Sequence, residues 1–275
     1  MTNLALFDTN ASIQISNPTR IADGEEQNWF KSFDRIYVEL GPAESTTVNL
    51  TLVHPPSPQP GTYSMTITAT DEDFDVESQL EIFFDVPVLG QPDLILPSET
   101  IWVDSFENTN TSVNLFNRGN GAQTYDIEIF PPAGWDVGLI ELGPFLGSRQ
   151  GSTGTLDKDG SISVEIAVSP PGVLLQAGTI FEASIHLTSR VESDVWTFPL
   201  PLEIKPIDSV EFSPSSGDSL GDVAADSTER IDIQISNQGN RELNLTPITR
   251  SLPGGWSVDG GLDRLVVPMG SSVTW

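Results

Sequence analysis

Three stretches of the chain read almost alike: "ASIQISNPTR" at 11–20, "TSVNLFNRGN" at 111–120 and "RIDIQISNQGN" at 230–240. In the last, Ile231, Ile233 and Ile235 alternate with Asp232, Gln234 and Ser236, and in the second Val113 and Leu115 flank Asn114. Successive side chains of an extended chain point to opposite faces, so this alternation predicts a strand with one face buried. Each stretch halts at an asparagine, Asn17, Asn117 or Asn237. In the last two a glycine and a second asparagine come next, residue types that tolerate positive φ and tight turns, so Asn117 and Asn237 are expected first as turn residues.

The segments beyond each asparagine recur too. After Asn117 come the strand-like "TYDIEIF" and then "PPAGW", ending at Trp135; after Asn237 come "RELNLTPI" and "LPGGW", ending at Trp256. "ELGPAESTTVNLTLVHPP" at 39–56 matches "DKDGSISVEIAVSPP" at 157–171, and "QPGTYSMTITATD" at 59–71 matches "QAGTIFEASIHLTS" at 176–189. The asparagines stand 100 and 120 residues apart. That period is too long for a solenoid and fits an immunoglobulin-like sandwich, so the expectation is an all-β chain of tandem Ig-like β-sandwich domains of about seven strands each. The boundaries fall at 1–91, 92–206 and 207–275. The joints "PVLGQP" at 87–92 and "KPID" at 205–208 are short and carry proline, which predicts a semi-rigid array.

The order strand, Asn-x-Gly-Asn, strand, Pro-x-Gly-Trp, Leu-x-x-Gly, alternating strand, Pro-Pro, Gly-Thr-Tyr strand resembles the prokaryotic Ig-like domains found beside α-galactosidase modules. More loosely it resembles the bacterial cell-adhesion-related (CARDB-type) domains. The match covers nearly all of the second copy, the front of the third and the back half of the first. The resemblance implies an extracellular spacer. The first copy departs from the pattern: "NPTR" replaces the Asn-Gly pair, and Trp29 comes only 12 residues after Asn17 without Pro-Gly before it. Its N-terminal strand is expected to be missing or short, and the third copy stops at Trp275 in mid-strand, so the chain reads as part of a longer polypeptide.

Charge and composition narrow the function. Lys and Arg number 12 against 39 Asp and Glu, a formal net charge of −27. Such a surface repels phosphate backbones and anionic lipid, so no nucleic-acid partner is expected. Cysteine is absent, which removes disulfides, thiol nucleophiles and cysteine-based zinc sites. Since small secreted eukaryotic sandwiches usually carry bridges, a prokaryotic source is favoured. No apolar run is long enough to span a membrane as a helix, and no leader is visible.

Candidate sites are few. His54 and His186 have no Ser/Asp or metal-ligand companions in the sequence, so no catalytic residue is assigned and the chain is read as non-enzymatic. In "DEDFD", Asp71, Asp73 and Asp75 stand at alternate positions that could converge on calcium, yet the glycine and glutamate of an EF-hand loop are replaced by Val76 and Ile82. A solvated hairpin tip is the other reading, and no cofactor is otherwise implied. "DKDG" at 157–160 reads as a hairpin turn with Gly160 at positive φ.

Trp135 and Trp256 read as plugs over a sandwich core, or as sugar-stacking platforms. Asn10, Asn49, Asn110 and Asn244 begin Asn-x-Ser/Thr sequons at a frequency that chance nearly supplies. "FLGSRQGSTGT" at 145–155 and "PPGVLLQAGT" read as inserted loops, so Phe145, Leu146, Val173, Leu174 and Leu175 form either a lid or a partner patch. The resulting expectation is a stalk or scaffold in a larger cell-surface or secreted protein, whose partners are the other domains of that chain and surface proteins or glycans. The alternatives are an accessory carbohydrate- or protein-binding module and a calcium-rigidified adhesin.

Overall fold

The computed structural model describes residues 2–214, 224, 226–246, 248, 252, 254–255, 257–258 and 264–275. Every regular element in them is a strand. The first body holds β1 (Thr9–Ile15), β2 (Thr19–Arg20), β3 (Phe30–Phe33), β4 (Tyr37–Leu40), β5 (Leu50–Val53), β6 (Gly61–Asp71) and β7 (Val76–Val86). One sheet runs β2-β6-β1-β4 with β7 also on β6, and β3 and β5 make a second. Ile13, Val38 and Leu40 form a small buried cluster here, helped by Phe33, Val48 and Ile67, and Ala11, Trp29, Tyr63 and Met65 are buried as well.

The second body holds β8 (Pro92–Ile95), β9 (Ile101–Val103), β10 (Thr109–Asn117), β11 (Gln123–Phe130), β12 (Asp136–Leu139), β13 (Gln150–Leu156), β14 (Ser161–Ser169), β15 (Ile180–Ser189) and β16 (Val195–Ile204). A four-stranded sheet in the order β12-β14-β10-β8 faces a five-stranded one in the order β13-β11-β15-β16-β9. The alternation is visible in the burial. Val113 and Leu115 of β10, and Val164, Ile166 and Val168 of β14, are sealed beside Ile127, Ile185, Leu187, Leu200 and Leu202 in one cluster. Each such side chain contributes roughly 1.5–3 kcal/mol by leaving water, which is what makes this sandwich cohere.

This body has nine strands where the sequence predicts about seven. The additions are β12 and β13. The latter, "QGSTGTL", lacks apolar alternation because its glycines serve the backbone: a Cβ on Gly151 would lie 2.4 Å from the Leu142 carbonyl oxygen, and Gly154 takes a φ of 69°. The inserted loop expected at 145–155 is thus half strand.

The third body holds β17 (Val210–Pro214), β18 (Ile233–Asn237), β19 (Leu243–Leu245), β20 (Leu265–Val267) and β21 (Ser272–Thr274). Its sheets are β17-β18-β21 and β19-β20, closed on Ile235, Leu243 and Val267. The registers match the second body. Val210↔Asn237 repeats Pro92↔Asn117, and Leu243↔Val267 repeats Gln123↔Leu156.

The first body corresponds to the second at a different place than the sequence suggests. Asn117 donates to the Gly121 carbonyl four residues on and to those of Leu156 and Asp157, and accepts from the Gly119 N–H. Asn3, not Asn17, repeats that pattern, donating to Phe7, Leu40 and Gly41 and accepting from the Ala5 N–H. Asn3 N–H bonds the Glu44 carbonyl as Asn117 N–H bonds that of Gly160. So β1 is the counterpart of β11, and Trp29, just before β3, is the counterpart of Trp135. Asn17 instead meets Glu26 and Lys31 on the surface.

Candidate functional site

The residues that recur are gathered where one body meets the polypeptide entering it. Asn117 ends β10 with its side chain fully buried, a position that burial alone would penalise unless its amide is satisfied. Besides its three donations and the Gly119 bond, its Oδ1 accepts from the Tyr125 hydroxyl at 3.0 Å. Burial raises the Tyr125 pKa above the ordinary phenol value, so that hydroxyl stays a donor. Asn237 repeats the hub with bonds to Arg241, Val267 and Gly239. Asn117 and Asn237 are thus more than turn residues; they tie a strand end to the facing edge.

The next two motif positions have a different task. Gly119 and Gly239 are not at positive φ, contrary to the turn chemistry expected of them. They lack a side chain because the incoming linker crosses them: a Cβ on Gly119 would lie 2.2 Å from the Leu89 carbonyl oxygen, and one on Gly239 2.2 Å from that of Ile207.

Asn120 and Asn240 then hold the linker as a neighbouring strand would. Asn120 Oδ1 accepts the Leu89 N–H at 2.6 Å and its Nδ2 donates to the Pro87 carbonyl at 2.9 Å. Asn240 Oδ1 accepts the Ile207 N–H at 2.7 Å and its Nδ2 donates to the Lys205 carbonyl at 2.7 Å. Both side chains are buried. The backbone adds Arg118 N–H to Gln91 O and Gln238 N–H to Ser209 O. An amide side chain carries a donor and an acceptor with the spacing of a peptide group, which is why asparagine fits both places.

Contacts across each joint reinforce the clamps. A Cβ on Gly121 would meet the Pro60 ring at 2.7 Å, so the first body abuts the second there. The Gly90 N–H is held by Glu192 at 2.6 Å. At the second joint the Ala177 N–H donates to the Asn240 carbonyl at 2.9 Å, and Asp208 of the linker pairs with Arg241. That bond lowers the Asp208 pKa and raises that of Arg241.

Read as turns, "NRGN" and "NQGN" do not disclose the clamp; the signal that could is that both come about thirty residues after a short proline-bearing joint. In the first body Ala5 and Leu6 stand where Gly119 and Asn120 stand in the second, so the clamp residues are absent there.

The other sequence candidates are scattered. Asp71 Oδ1 accepts the N–H groups of Asp73 and Phe74 and so shapes the β6–β7 tip, while Asp75 has φ 54°. Among the described residues no group of three or more His, Cys, Asp or Glu is arranged to hold a metal ion. In "DKDG" the positive φ of 61° belongs to Asp159, not Gly160. Trp135 is buried with its ring 5.0 Å from that of Phe181, and Trp29 repeats this against Tyr63 at 5.0 Å. Trp256 lies outside the described residues.

Asn10, Asn49, Asn110 and Asn244 are all exposed, and Asn49 is bonded through both its N–H and its Nδ2 to the Asp34 carboxylate. Phe145 and Leu146 are 69% and 73% exposed beside a shallow groove that includes Phe130 and Arg149. Val173 is exposed, whereas Leu174 is half-buried and Leu175 packs on the core, so the expected lid or patch divides in two. His186 lies against the Phe130 ring at 4.2 Å, and His54 bonds the Pro55 carbonyl. No described helix is long and apolar enough to cross a membrane.

No family model matches the chain, and no curated protein matches it. Among solved structures, the chain is similar to a protein of unknown function from Porphyromonas gingivalis W83, at 14% identity and a TM-score of 0.25 over 71% of this chain and 85% of that one. It is also similar to the CsuC-CsuE chaperone-tip adhesion subunit pre-assembly complex of archaic chaperone-usher Csu pili from Acinetobacter baumannii, at 11% identity and a TM-score of 0.26 over 66% of this chain and 89% of that one.

Proposed function

We propose that the chain is a non-catalytic stalk or scaffold: tandem β-sandwiches that hold other parts of a larger prokaryotic cell-surface or secreted protein at a set separation. The observation that carries this reading is the repeated clamp. Two joints are gripped by the same four-residue device, with the linker hydrogen-bonded by asparagine side chains and a glycine held bare so that it can pass. A chain whose task lay within one domain has no need to fix its joints twice in the same way. The net charge of −27 keeps such an array solvated and apart from its neighbours.

Small-angle scattering on the protein and on an Asn120→Ala/Asn240→Ala double variant tests this. A single narrow shape for the protein that broadens in the variant supports a stalk. A broad ensemble for the unaltered protein overturns it. A second reading, an accessory carbohydrate- or protein-binding module, draws on exposed Phe145 and Leu146 beside their groove; glycan-array or pull-down signal lost on Phe145→Ser would favour it.

A further inference from the structure

In the second body, the edge of β14 that faces away from β12 is taken by β10, in the register Thr109↔Val168, Thr111↔Ile166, Val113↔Val164 and Leu115↔Ile162. β5 is the counterpart of β14, since Phe33↔Leu50 repeats Leu139↔Ile166. Among the described residues β5 pairs with β3 alone. The ladder that would cover its other edge is nonetheless begun: the isolated bridge Thr2↔Ser45 repeats the rung Phe116↔Ser161.

Two further observations mark this edge as incomplete. Ile185, Leu187 and Leu200 are fully buried in the second body, while their counterparts Ile67, Ala69 and Ile82 are only half-buried. The segment "TTVNLTLV" at 46–53 also has no charge, proline or glycine, the devices by which sheet edges are normally kept from pairing.

We propose that β5 is a strand-acceptor edge. Its occupant is an extended polypeptide of the β10 type, antiparallel to β5, uncharged on its inner face. It sets a valine-sized residue against Val48 and small residues against Leu50 and Leu52, the register that Val113, Thr111 and Thr109 hold in the second body. Binding is by backbone pairing with side chains alternately buried, as in strand addition generally.

The probe is a fluorescein-labelled synthetic peptide of residues 92–115, which carries β8, β9 and most of β10 and stops where Thr2 begins the ladder. It is titrated into the full chain, followed by anisotropy and by hydrogen exchange. The expected result is saturable binding, with exchange slowed about tenfold at 48–53 and unchanged at 161–169, where β10 is already in place. The amides of Thr111 and Val113 point towards β14, as that of Asn117 does. A peptide N-methylated at those two positions should therefore not bind.

No binding up to about 1 mM peptide overturns the proposal. So does equal binding of the N-methylated peptide, or protection confined to the second or third body. Protection of 48–53 that rises with protein concentration in the absence of peptide identifies a second copy as the occupant and overturns the proposal as stated.

Discussion

Asn120 Oδ1 lies 2.6 Å from the Leu89 amide nitrogen, thirty-one residues earlier in the chain and in the segment that leads into the second body. The same side chain donates to Pro87, so one residue closes two rungs with a linker that has no strand beside it. Asn120→Leu, which installs the residue that the first body has at this position, removes both. Loss of two part-buried hydrogen bonds costs the joint about 2 kcal/mol. Limited proteolysis should then cut within 87–91 while the core amides of β10, β14 and β15 keep their exchange protection.

Gly119 separates crowding from bonding. A Cβ there meets the Leu89 carbonyl oxygen and leaves no room for relaxation into solvent. Gly119→Ala should release the first linker as Asn120→Leu does, with an equal rise in proteolysis at 87–91. Gly254→Ala, where a Cβ meets nothing within 4 Å, is the matched control and should leave cleavage unchanged.

Asn117→Ala strikes the body itself. It leaves the Tyr125 hydroxyl without its acceptor and the carbonyls of Gly121 and Leu156 without their buried donor, while the Asp157 carbonyl keeps the Gly160 N–H. The expected loss is about 3 kcal/mol, read by urea denaturation with exchange at β11 and β13 as the body-specific probe. Asn237→Ala should produce a similar loss confined to the third body.

The Arg241–Asp208 pair predicts a pH dependence. Its hydrogen bond holds the Asp208 carboxyl below the usual range, so the folded pKa is depressed relative to the unfolded value near 4. The stabilisation is present above that unfolded value and is lost as pH falls through the lower, folded one. Cleavage at 205–209 in Arg241→Gln should exceed that of the unaltered protein at pH 7, and the difference should vanish in acid. Both side chains are about half exposed, so added salt should shrink it as well.

Trp29 and Trp135 occupy equivalent places, yet the cores around them differ in size. Trp135→Ala should cost roughly 3–5 kcal/mol, the usual range for a buried aromatic. Trp29→Ala should unfold the first body outright, because so few other buried side chains hold it. Exchange protection of β1 and β6, lost in Trp29→Ala and kept in Trp135→Ala, is the readout.

Strand alternation makes the all-β architecture legible in the sequence, since Val113, Leu115, Ile127 and Ile129 each fall on the face their period assigns. The register of the first body is not legible from "ASIQISNPTR", because any half-buried strand ending in asparagine looks like any other. Spacing holds the better signal: Gly41 comes 38 residues after Asn3 and Asp157 comes 40 after Asn117, whereas Gly41 comes only 24 after Asn17. The clamp is hidden for another reason. Glycine and asparagine announce turns so strongly that a glycine kept bare for a passing linker, and an asparagine standing in for a peptide group, read as the same thing until the linker is seen crossing them.

Hub and clamp occupy four consecutive residues, and what they grip is the polypeptide made just before them. The second and third units thus each bring their own socket for what precedes them. Copying the coding stretch from one linker to the next would lengthen the array with every new seam already complementary, and no second gene would have to change in step.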